Sequence, residues 1–110
     1  MLVNRPRLGT PWIGLDNYRR LLDEIADSYG PQTLLSEAGP RVYGAMIDAG
    51  VVDDEFVTLI PILVGNRTGE ARPGLIEDVA FDPDAPPRSR LLAAYRSGDY
   101  LFLHSRYSQD

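Results

Sequence analysis

The stretch from Thr33 to Gly65, TLLSEAGPRVYGAMIDAGVVDDEFVTLIPILVG, constrains the fold more than any other part of the chain. Thr33 to Ser36 is a short apolar run with strand character. Gly39 and Pro40 interrupt it. Pro40 suits the first position of a helix, where its missing N–H removes nothing the helix would use. After it, Val42, Ala45, Met46 and Ala49 recur at i, i+3, i+4 and i+7, which predicts a helix over 40–49 with one buried face. Gly50 is a natural stop. Gly44, inside that helix, costs roughly 1 kcal/mol against Ala and predicts close packing of the helix on a sheet. Val51 to Glu55 reads as a solvated acidic turn. Phe56 to Val64 then reads as the strongest strand. Its apolar run predicts burial on both faces, while Pro61, which cannot donate to a ladder, predicts a bulge or an edge. Strand, helix and strand in this order specify an α/β domain.

The same order places candidate chemistry. In an open α/β sheet, ligands gather just outside the carboxyl ends of the strands. A helix N-terminus there offers free N–H groups and a positive dipole end, which suits phosphate. For Gly39 and Pro40, a phosphate cradle competes with an ordinary strand-to-helix turn. Glu37 sits at the carboxyl end of the first strand. Contact with a substrate competes there with a simple interaction with the helix dipole.

The remaining segments complete one domain of 110 residues. Met1 to Gly14, punctuated by Pro6, Gly9, Pro11 and Gly14, reads as an irregular lead-in tacked on by Trp12 and Ile13. Asp16 is a good N-cap. Tyr18, Leu21, Leu22, Ile25 and Tyr29 follow at helical spacing, so a helix is expected over about 16–29, stopped by Gly30 and Pro31. Gly65 to Gly74 is a polar loop, Ile76 to Phe81 a candidate strand, and 82–87 a turn-rich connection. Leu91 to Tyr95 and Tyr100 to Arg106 flank the turn Arg96-Ser97-Gly98-Asp99 as a terminal hairpin. A helix over 88–96 is the competing reading.

Composition excludes several classes. Without Cys there is no disulfide, thiolate chemistry or Cys-based zinc site. All 11 basic residues are Arg, so neither a Schiff-base lysine nor a Walker-type phosphate lysine exists. A net charge of −5 argues against non-specific nucleic-acid binding. No run is apolar and long enough to span a membrane, and a cytoplasmic location is expected. Asp53, Asp54 and Glu55 lack nearby ligands for a metal, so no metal site is expected. His104, the sole His, has no nucleophile pattern beside it and reads as structural. Asn66-Arg67-Thr68 matches a glycosylation sequon by chance, and Met46 reads as core.

LLSEAGPRVYGAMIDAGVVDDEFVTLIPILVGN resembles the C-terminal reductase domain of the bacterial riboflavin-biosynthesis deaminase–reductase, within the dihydrofolate reductase-like superfamily. The pattern is an apolar strand, Glu-Gly-Gly-Pro, a helix, Leu-Val-Asp-Glu, and an apolar strand with Pro ending in Gly. Here Glu37-Ala38-Gly39-Pro40, Val52-Asp53-Asp54-Glu55 and Pro61 to Gly65 take those places. Gly98 to Leu103 resembles the last strand, and the likeness spans roughly 15–107. It implies a layered sheet with flanking helices and NADPH-dependent reduction of a pyrimidine- or pterin-like substrate. Ala38, Gly39, Pro40, Arg41 and Val42 would form the cofactor cradle, meeting its phosphates mainly through backbone N–H groups. Gly65 and Asn66 match a glycine region near the cofactor, and Glu37 would face the substrate. Ala38 departs from the pattern, where a glycine is usual. The family's domain is also longer on its N-terminal side, so 15–110 is expected to be the C-terminal part of one reductase-like domain. A homodimer or a complementing N-terminal half is the expected partner. The alternative is a non-catalytic half-domain acting as an interaction module.

Overall fold

The computed structural model describes residues 2–4, 17–69 and 72–108, with side chains described from Tyr18 onward. The order is β1 (Leu2–Asn4), α1 (Asn17–Tyr29), β2 (Thr33–Leu35), α2 (Pro40–Asp48), β3 (Asp54–Leu59), β4 (Ser89–Ser97) and β5 (Tyr100–Tyr107). The five strands form one sheet in the order β2-β1-β3-β5-β4. Every described pairing is antiparallel. Since β2 and β3 both run against β1, they are parallel to each other, and α2 is the crossover between them. This is an α/β sheet with flanking helices, as the strand–helix–strand pattern predicts.

One correction concerns the lead-in predicted over 1–14. Leu2–Asn4 within it is a strand, aligned with Thr33–Leu35 and touching β3 at Leu2↔Asp54. Three residues are too few for a readable period, and this strand is defined by distant partners. Trp12, Ile13 and the Asp16 cap lie outside the described residues.

Helix α2 begins after Gly39, has Pro40 in its first turn, and carries no side-chain cap. It ends in a Schellman motif. Gly50, at φ +69°, donates to Ile47 C=O at 2.9 Å, and Val51 donates to Met46 C=O at 3.2 Å. Leu22 from α1 joins Tyr43, Met46, Ile47 and Val52 in the core, with Leu34, Ile76, Phe81 and Tyr107 packed around them. The Arg19 guanidinium ties α1 to the Ala49 carbonyl, Nε donating at 3.0 Å. Of the predicted α1 stripe, Leu22 is buried, while Leu21 and Tyr29 are exposed.

Gly44 has a packing reason, but a different one from close approach to the sheet. A Cβ there would lie 2.9 Å from Ile76 Cγ2 and 3.1 Å from the Glu77 carbonyl. The segment over 76–79 therefore lies against α2. It is not the strand predicted for Ile76 to Phe81. Its hydrophobic side chains serve the helix, and Glu77 N–H reaches the Pro40 carbonyl at 3.2 Å instead of a ladder.

The strand predicted over 56–64 is shorter and barer than expected. It starts at Asp54 and stops at Leu59. Ile62 N–H donates to Ile60 C=O at 2.9 Å, a γ-turn around Pro61. Phe56 and Leu59 are 51% and 52% exposed, and Leu63 is 100% exposed. Burial on both faces needs a layer on each side, and the described residues supply none there.

The terminal hairpin is present, as β4 and β5. Ser97 pairs with Tyr100 around Gly98-Asp99, with Gly98 at φ +59°. A positive φ at the first loop position alone fits a type II′ turn. A bulge shifts the register between Leu91 and Ala93. No described helix is long and apolar enough to cross a membrane.

Candidate functional site

The predicted cradle residues gather around the N-terminus of α2, where they border two cavities. Gly39, Pro40, Arg41 and Val42 line one of about 430 Å³ together with Arg72, Pro73 and Glu77. Glu37, Ala38, Gly39 and Pro40 line a second, of about 470 Å³, with Tyr43, Glu55, Phe56 and Val57. Gly65 is placed apart from both. With Asn66, Arg67 and Arg72 it borders a third cavity of about 500 Å³. Arg72 is thus shared between the first and third cavities, and its N–H is held by Asn66 Oδ1 at 3.0 Å.

The local backbone explains why the first turn of α2 is open. The first N–H groups of any helix have no partner within it. Here Pro40 has none to offer, Tyr43 N–H closes on Gly39 C=O at 2.9 Å, and no side chain caps the end. Arg41 and Val42, in this first turn, line the first cavity. Gly39 is extended, φ −70° and ψ 179°, and a Cβ on it would meet nothing within 4 Å. The bare Cα therefore serves no internal packing. Ala38 differs: its N–H points to Ser36 Oγ at 3.4 Å. The Arg41 side chain pairs with Asp78 at 3.1 Å, both well exposed, an interaction worth little in water.

Two polar clusters lie on opposite faces of β3, as its alternation dictates. On one face the hydroxyls of Tyr43 and Tyr107 converge on Glu55 Oε2, Tyr107 donating at 3.1 Å, and the two hydroxyl oxygens are 3.2 Å apart. Burial, then the neighbouring carboxylate, pushes the Tyr107 phenol above its ordinary pKa. On the other face Asp54 is buried and receives Arg106 Nε at 2.8 Å and Nη2 at 3.0 Å, with His104 Nε2 at 2.8 Å. The Arg106 hydrogen bonds hold the Asp54 carboxyl below its usual range, against the opposing effect of burial. Phe56 stacks on His104 with ring centroids 4.2 Å apart. The acidic turn predicted to be solvated is therefore buried at Asp53 and Asp54. The Asp54 charge is matched across the sheet by Arg106, some fifty positions away.

Compared by sequence, the chain matches no family model and no curated protein. Compared by structure, it aligns with Acinetobacter baumannii RibD, form 2, at a TM-score of 0.69 and 21% identity, over 82% of this chain. Form 1 of the same protein gives 0.67 and 20%. The chain has a RibD-like fold. It spans 24% of the length of those RibD chains. Within this RibD-like frame, sequence reading located the α2 N-terminus but missed Arg72, which sits in a polar loop with no periodicity. It also missed both clusters on β3. The residue types were visible, but only the register of β3 with β5 brings them together.

Proposed function

We propose that this chain is the cofactor-binding portion of an NADPH-dependent reductase acting on a pyrimidine- or pterin-like substrate, in the manner of a 5-amino-6-(5-phosphoribosylamino)uracil reductase. The observation that carries the reading is the uncapped, glycine-preceded start of α2, opening on a cavity that also holds Arg41 and Arg72. Backbone N–H groups and guanidinium forks suit the phosphates of a dinucleotide. The cofactor would supply the hydride. The protein would bind and orient: Arg41 and Val42 N–H toward phosphate, Arg72 beside them, Gly65 and Asn66 at the neighbouring cavity, Glu37 toward the substrate. A cytoplasmic location accompanies this reading.

Calorimetric titration of the folded 110-residue chain with NADPH, and separately NADH, tests it. Saturable NADPH binding is expected. Gly39→Val should weaken it at least tenfold while leaving the circular dichroism spectrum unchanged, because a Cβ there meets no protein atom within 4 Å. Unchanged affinity in the variant would remove the cradle assignment.

A second reading is an interaction module, favoured by the uncovered apolar residues of β3, β4 and β5. It expects an obligate oligomer without nucleotide affinity. A stable monomer in sedimentation would count against it.

A further inference from the structure

The antiparallel register stacks charge at one level of the sheet. Arg106 lies directly opposite Asp54 on β3 and directly opposite Arg90 on β4. Directly opposite residues share a face, with Cβ atoms roughly 5 Å apart. Asp54, Arg106 and Arg90 therefore form a row across three strands, on the face opposite Glu55. Asp54 receives Arg106 Nε at 2.8 Å and Nη2 at 3.0 Å, with His104 Nε2 at 2.8 Å. Asp53, buried beside it, is the other carboxylate acting on Arg106. Arg90 has no such neighbour. It faces a guanidinium, and among the described residues no carboxylate pairs with it or with Arg88. Like charges placed directly opposite are destabilising. Beside this row is a cavity of about 390 Å³ lined by Arg88, Ser89, Arg90, Arg106, Tyr107 and Ser108, with no carboxylate among them.

We propose that this cavity binds the phosphate-monoester dianion of a small soluble molecule, held between Arg88, Arg90 and Arg106. Asp54 makes one side of the site rigid. It grips Nε and Nη2 of Arg106, which fixes the plane of that guanidinium and leaves Nη1 to donate to a ligand. Guanidinium forks match pairs of phosphate oxygens. Three of them around one point call for a group with three terminal oxygens and close to two negative charges, which a phosphate monoester carries near neutral pH. A carboxylate offers two oxygens and one charge. The −5 of the whole chain does not oppose this, because salt screens exposed charges beyond about 10 Å. Helix α2 reaches the other face of the sheet, where Tyr43 meets Glu55. The inference therefore stands apart from the cofactor reading.

The test titrates the full 110-residue chain with methyl phosphate at constant ionic strength, read by the arginine Nε–H and backbone amide signals in proton–nitrogen NMR. Saturable shifts are expected at Arg88, Arg90 and Arg106. Arg90→Gln should weaken binding at least about tenfold, and Arg88→Gln, outside the strand, should do the same. Without phosphate, Arg90→Gln should melt no lower than wild type, since it removes a like-charged pair. Methyl phosphate should then raise the melting temperature of wild type more than that of the variant. Dimethyl phosphate, with one charge and two terminal oxygens, should bind more weakly than methyl phosphate. Absence of saturable shifts overturns the proposal, as does wild-type affinity in both variants or equal affinity for dimethyl phosphate. Asp110→Asn tests the chain's own acidic residues. A tenfold gain in affinity there would make the occupant part of this chain and overturn the assignment to a separate molecule. Binding to phosphatidic acid vesicles without binding of methyl phosphate would move the site to a lipid surface and overturn it equally. Shifts confined to residues 39–42 would place the phosphate at the start of α2 and refute this inference alone.

Discussion

The two ends of this sheet are built from similar sequence and end up in opposite environments. At one end, β2 and the start of β3 meet α1 and α2, and Val52 is 2% exposed. At the other, β4, β5 and the second half of β3 carry equally apolar residues, yet Phe56, Leu59, Leu91 and Tyr95 are each more than half exposed. The ladder between β3 and β5 runs the whole length of β3, from Asp54↔Arg106 to Leu59↔Leu101, where side-chain burial is incomplete. Ladder formation and core formation are thus separable here. A strand's hydrophobicity states how much surface it would bury, and only a second layer realises that burial.

If the comparison holds, stability resides at the covered end. Met46→Ala should cost the most, about 2–5 kcal/mol, through lost transfer energy and an unfilled cavity. Chemical denaturation reads it directly, and a loss under 1 kcal/mol would mean the core is not where the packing puts it. Gly44→Ala should follow at about 1–3 kcal/mol of destabilisation, through overpacking. An isolated helix would gain roughly 1 kcal/mol from the same change. The sign of the measured shift therefore decides whether the segment over 76–79 lies against α2 in solution.

Asp54 joins the two ends, since it begins β3 and holds two residues of β5. Asp54→Asn should cost about 1–2 kcal/mol near neutral pH, reduced by the exposure of Arg106. Its carboxyl titrates below the ordinary aspartate value of 3.8 in the folded protein. A depressed pKa contributes stability that is present above the unfolded value and lost as pH falls through the folded one. Wild type should therefore lose this contribution in acid below about pH 3.8, and the variant should show a shallower loss there. Parallel curves for the two proteins would remove the clamp from the account.

Much of the covered end was legible in the sequence. Pro40, the i, i+3, i+4, i+7 spacing and Gly50 bound α2 because capping and periodicity are local. The Gly98-Asp99 hairpin was legible for the same reason. The open start of α2 followed from Gly39-Pro40 without any structure. Where reading failed, the deciding partner was remote. β1 is defined by β2, Asp54 by Arg106 and His104, and the 76–79 segment by a missing Cβ at Gly44. The Phe56 to Val64 run misled for a related reason. Its composition reports a demand for burial, and composition does not say which residues meet that demand.

The smallest expected effect probes the uncovered end most directly. Leu63 is fully exposed, so Leu63→Ser removes no buried area on folding. Surface changes of this kind fall within about 0.5 kcal/mol of neutral. The midpoint of denaturation should stay in place at low protein concentration, while self-association in sedimentation should fall as apolar surface is removed. A loss above 1 kcal/mol would mean that the Leu63 side chain is covered in solution. Repeating the measurement across protein concentrations then separates the two ways of covering it. A loss that grows with concentration places the cover on a second chain. A constant loss places it within this one, and the two ends of the sheet would no longer differ.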